Sequence, residues 1–89
     1  MDLKQIVKEV FNKTYRKNYK LIHLGTQEGT GFMTFIITKD SHNVLCTFEV
    51  SPNTGVFHAE STDNLLSSPY EVEDWLKFIT AIRTATRGQ

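Results

Sequence analysis

A single cysteine, Cys46, excludes an internal disulfide, and no group of Cys and His residues has the spacing of a zinc site. No apolar run reaches the roughly 18 residues of a membrane-spanning helix. Net charge is absent as well. Ten basic and ten acidic residues give a formal charge of zero, which argues against a surface given over wholly to nucleic acid. Three glycines between Gly25 and Gly31 invite comparison with phosphate-binding loops, but the Gly-Lys-Ser/Thr ending is missing and a strand pattern follows where a helix should. The start, MDLKQIVKEV, is amphipathic, without the basic-then-apolar order of a signal peptide. These absences lead to an expectation of one cytoplasmic domain spanning 1–89, ordered over roughly 2–85 with a short fraying tail.

What is present centres on residues 31–60, GFMTFIITKDSHNVLCTFEVSPNTGVFHAE. Met33, Phe35 and Ile37 alternate with Thr34, Ile36 and Thr38. Val44, Cys46, Phe48 and Val50 alternate with Leu45, Thr47 and Glu49. Such alternation marks half-buried strands. With Asp40–Asn43 as the connection, Lys39 faces Val44, Ile37 faces Cys46, Phe35 faces Phe48 and Met33 faces Val50, so the strongly apolar pairs share one side. The turn Ser51-Pro52-Asn53-Thr54-Gly55 follows. A four-residue loop, Pro52–Gly55, sets Ser51 opposite Val56, Val50 opposite Phe57, Phe48 opposite Ala59 and Glu49 opposite His58. Leu21–Leu24 reads as a first strand with Ile22 and Leu24 inward and Tyr19, Leu21 and His23 outward, and Gly25–Gly31 as the hairpin connection after it.

Helical spacing flanks the strands. Leu3, Ile6, Val7, Val10 and Phe11 form one stripe, with Asp2 placed to cap it. Ser68-Pro69-Tyr70-Glu71 has the chemistry of a capping box, and Val72, Trp75, Leu76, Ile79 and Ile82 follow, with Phe78 widening the stripe and an end expected near Thr84. The expected fold is α+β, a two-layer sandwich. A four-stranded antiparallel meander carries the N- and C-terminal helices on one face, in the order α-β-β-β-β-α.

For function, a Cys–His nucleophile is disfavoured because alternation puts Cys46 and His58 on opposite faces. Glu49, His58 and Glu60, with His23 nearby, sit on a flat face without an implied pocket, so a polar cross-strand pair is preferred over a metal or acid–base site. No enzyme activity, cofactor or metal is expected. The open sheet face supplies the leading hypothesis. Phe32, Thr34, Ile36, Leu45, Thr47, Glu49 and His58, with Leu21 beside Ile36, make an apolar strip bordered by threonines and acids. Such a strip suits a protein partner or a second copy of the chain. That is the pattern of an adaptor, subunit or inhibitor, of the size and build of small phage regulators. The alternative is weak nucleic-acid binding through the basic segment 13–20, with Arg16, Lys17, Tyr19 and Lys20 interleaving cations and rings. The same cations also suit a solvated helix end. Double-stranded-RNA-binding domains carry a basic start to their second helix; here it is acidic, Glu71-Val72-Glu73-Asp74.

Overall fold

In the computed structural model the described residues are 2–40, 43–53, 55–60 and 69–87, with the side chains of 55–60 and 87 left aside. The chain is α+β, an antiparallel sheet with two helices. Helix α1 spans Leu3–Thr14, and the strands are β1, Tyr19–Thr26, β2, Met33–Lys39, and β3, Asn43–Ser51. A further segment, β4, Gly55–Glu60, pairs with β3 through its backbone, and α2 spans Pro69–Arg87. No helix among the described residues is long and apolar enough to cross a membrane.

Helix α1 starts where expected. The Asp2 carboxylate accepts the Lys4 N–H at 3.2 Å, satisfying one of the donors left open at a helix start. Ile6, Val7 and Phe11 are buried, with Leu3 and Val10 packed beside them. The stripe continues past the helix. Tyr15, four residues after Phe11, is 8% exposed and stacks on the Phe11 ring with centroids 4.9 Å apart. The segment 13–20 is therefore not wholly a solvated helix end, because one of its rings belongs to the core.

The sheet register agrees with the alternation at its centre. Ile37 pairs with Cys46, Phe35 with Phe48 and Met33 with Val50. Departures lie at two one-residue shifts, in the β2–β3 and β3–β4 pairings, and in the phase of β1. Between Ile37 and Thr38 the β3 strand carries an extra residue, so Thr38 pairs with Val44 and Lys39 with Asn43. In a bulge two consecutive residues oppose one and the alternation is interrupted. Leu45, expected on the open face, is 3% exposed in the core beside Cys46, and Val44, expected inward, is 41% exposed. A second shift between Glu49 and Val50 lets Ser51 pair with Gly55 and Val50 with Val56, while Glu49 still pairs with His58 and Phe48 with Ala59. The loop is one residue shorter than expected, and the bulge absorbs the difference.

The third correction is the phase of β1. Burial alternates with Tyr19, Leu21 and His23 inward and Ile22 and Leu24 exposed, opposite to expectation. The adjacent Leu21 and Ile22 leave the phase ambiguous, and Leu24 tips the pattern toward the reading that the structure overturns. Partners across the sheet decide: Tyr19 meets Lys39, Leu21 meets Ile37 and His23 meets Phe35. The strand also runs on through Gly25 and Thr26, so the hairpin connection is shorter than Gly25–Gly31. It turns with Gly29 and Gly31 at positive φ, a conformation that costs glycine little.

The two helices meet within one core cluster. Phe78 and Ile82 are fully buried, and Phe78 meets Phe11 at 6.1 Å and Phe48 at 5.5 Å, both edge-on. Trp75 meets Phe48 at 5.3 Å. Each such ring contributes roughly 1.5–3 kcal/mol by burial. The inward stripe of α2 runs Glu71, Trp75, Phe78, Ile82 and Thr86, whereas Leu76 is exposed. The Thr86 hydroxyl donates to the Ile82 and Arg83 carbonyls at 2.9 and 3.0 Å, and this buried residue carries the helix past the expected stop at Thr84. Ser68, the expected cap, lies outside the described residues.

Candidate functional site

The outer face of the sheet is built by what the inner face rejects. On β1 it presents Lys20, Ile22 and Leu24; on β2, Thr34 and Ile36; on β3, Val44, Thr47 and Glu49. Ile22 pairs directly with Ile36, and Ile36 with Thr47. Ile22 is 44% exposed and Leu24 is 56% exposed, so the apolar strip reaches the β1 edge. Of the residues expected here, Phe32, Thr34, Ile36, Thr47 and Glu49 are partly exposed. Leu45 and Leu21 have left the strip for the inner side. Ile22, Leu24 and Val44 take their place, and the ambiguous phase of β1 and the bulge hid them. The His58 side chain lies outside the described residues.

The basic segment is divided by the same strand. Arg16, Lys17 and Lys20 are exposed, but Lys20 stands on the outer side of β1 while Tyr19 turns inward. The four residues do not share one surface.

On the inner side, the ends of β1 and β2 meet the first turn of α2. The Glu71 carboxylate is almost wholly buried, and its Oε1 accepts from Lys39 Nζ at 2.6 Å and from the Tyr19 hydroxyl at 3.2 Å. The start of a helix favours such an anion. Charge-assisted hydrogen bonding to Glu71 holds the Lys39 ammonium above its usual pKa, and the tyrosinate of Tyr19 adds to this. Burial, then the Glu71 charge, raises the Tyr19 phenol. Nearby, Asn18 reaches Asp40 through its side-chain amide at 3.5 Å, and its carbonyl accepts the Asp40 N–H at 2.9 Å. That contact holds the β2 end, where Asp40 has a φ of 55°. Sequence reasoning missed this cluster because Glu71 reads as an ordinary first-turn acid.

The nucleophile and metal candidates are scattered. Cys46 is fully buried, and burial pushes its thiol up to about 12. His23 stacks beside Phe35 at 5.1 Å and shares a hydrogen bond with the Thr26 hydroxyl at 3.2 Å. His42 is outside the described residues. Among the described residues no three His, Cys, Asp or Glu side chains gather as a metal site would require. No protein-family model, no curated protein and no solved structure matches this chain.

Proposed function

We propose that this chain is a non-enzymatic protein-interaction module, a single cytoplasmic domain that offers the outer face of its sheet to a protein partner, a second copy being the simplest. Its architecture on this reading is a two-layer sandwich in which a four-stranded meander carries both helices on one face and leaves the other open. The observation that supports it is the Ile22–Ile36 pair continued by Leu24. Ile22 and Leu24 are exposed and Ile36 is half-exposed, although the same strands bury Ile37 and Phe35 and turn Leu21 against the core. A face serving solvent alone would carry polar residues at such positions. A continuous apolar strip bordered by Lys20, Thr34, Thr47 and Glu49 has the composition of an interface centre with a polar rim. Zero net charge leaves no overall repulsion between copies.

The test is the double variant Ile22→Lys, Leu24→Lys, with circular dichroism to establish folding. Sedimentation of the parent chain should show self-association at high concentration, and the variant should be monomeric and as stable as the parent. A parent that is monomeric throughout makes the partner a different protein, whose purified complex the variant should then weaken at least tenfold. Association unaffected by the two lysines overturns the reading.

A further inference from the structure

An opening in the surface lies away from the outer sheet face. A cleft of about 510 Å³ is lined by Arg16, Asn18, Tyr19, Lys39, Tyr70 and Glu71. Its walls come from three places in the chain: the turn after α1, the paired ends of β1 and β2, and the first turn of α2. The volume falls in the range of small-molecule sites.

The side chains divide into two sets. Glu71, Lys39 and Tyr19 form a fixed floor, because one carboxylate oxygen holds the ammonium and the phenol together. Lys39 also lies over the Tyr19 ring, 6.0 Å from its centroid. That floor keeps spare donor capacity. An ammonium has three N–H groups, and Glu71 Oε1 takes one. Arg16 and Tyr70 form the open part. The Arg16 side chain makes no ion pair among the described residues, and Tyr70 is 73% exposed. Formal charges on the lining are two positive and one negative, and the negative one is already paired with Lys39. The positive end of the α2 dipole opens at Tyr70 and Glu71, on the same cleft.

We propose that this cleft binds a small phosphorylated ligand carrying a planar ring, of the nucleoside-monophosphate class. The Arg16 guanidinium presents a planar fork of donors suited to phosphate oxygens. Lys39 adds a point charge held in place by Glu71. The exposed Tyr70 ring offers the ligand ring a face to stack on, and Tyr19 is already engaged with Lys39 and Glu71 in the floor. This site is separate from the Ile22–Leu24 strip, so either proposal stands without the other.

The test is titration of isotope-labelled protein with adenosine monophosphate, followed by amide and side-chain resonances, with adenosine and inorganic phosphate as separate probes. Saturable shifts are expected at Arg16, Tyr19, Lys39 and Tyr70, with adenosine and phosphate each at least tenfold weaker than the nucleotide. Arg16→Ala and Tyr70→Ala remove exposed side chains that support nothing in the core. Each should weaken the nucleotide at least tenfold while the dispersion of the spectrum is unchanged. Absence of saturation at millimolar nucleotide, or saturation that Arg16→Ala leaves untouched, overturns the proposal. A single-stranded oligonucleotide that binds at these residues far more tightly than the mononucleotide also overturns it and makes the occupant a nucleic acid.

Discussion

Tyr15 carries the costliest hydroxyl in the described part of the molecule. Its ring is packed among Phe11, Tyr19 and Phe78, yet its buried oxygen finds no hydrogen-bond partner among the described residues. Burial, reinforced by the negative charges of neighbouring acidic groups, pushes its phenol far above the usual tyrosine range. A buried donor without an acceptor gives up its water for nothing in return. Tyr15→Phe keeps the ring contacts and removes the unpaired oxygen, so stability should rise by about 1 kcal/mol. A shift of the urea midpoint to higher concentration at unchanged m-value is the measurement, and a loss of stability would mean that the hydroxyl is satisfied in solution. The burial of this ring was legible, since Tyr15 extends the Leu3, Val7, Phe11 series by one more step of four. Its basic neighbours Arg16 and Lys17 drew the reading toward solvent instead. Glu71 was not legible in the same way. Nothing within its own turn marks it as buried, and its partner Lys39 is thirty-two residues away in the chain.

Strands β2 and β3 show what alternation can and cannot specify. Phe35 opposite Phe48 was readable because a one-residue slip would have placed Phe35 against Thr47 or Glu49. Leu45 was not readable, because a bulge adds a residue without changing the local pattern, and Val44 and Leu45 are both apolar. The phase of β1 failed for a related reason, since Leu21 and Ile22 compete as equals until β2 chooses. The bulge makes a sharp prediction. Leu45→Lys puts a charge in the core and should cost about 3 kcal/mol or more. Val44→Lys, one position earlier, should change stability by less than about 0.5 kcal/mol. Thermal midpoints of the two variants check this, and the opposite order would restore the unbulged register.

Across the whole molecule, the zero net charge conceals a division. The first 39 positions hold seven basic and three acidic residues, and the remaining fifty hold three basic and seven acidic. The Lys39–Glu71 contact joins these two parts. Four titrating groups among the described residues, Cys46, Tyr15, Tyr19 and Lys39, hold their protons more tightly in the folded chain than in the unfolded one. Through these groups the native protein binds more protons than the unfolded protein at alkaline pH, and their contribution to stability falls as pH rises. The contribution of Cys46 is fully present below the ordinary thiol value of 9.0 and is lost as pH climbs toward about 12. Within that window one fully titrating thiol contributes a slope of about 1.4 kcal/mol per pH unit. Urea midpoints at about pH 8 and about pH 10.5 should show the decline, and Cys46→Val should flatten its first part. A midpoint independent of pH over this range would contradict the burial of these groups.

The packing of Phe11 against Phe78 bears on how the chain is made. Ribosomes deliver α1 first and α2 only after all the strands. Hairpins between successive strands can begin to form as they emerge, since each partner is a neighbour in sequence. Their inner face, with Phe35, Phe48 and half of the α1 stripe, stays uncovered until the later helix arrives to supply Trp75, Phe78 and Ile82. A nascent chain halted before that helix would expose its stickiest surface, and for that interval it is a natural client for a chaperone.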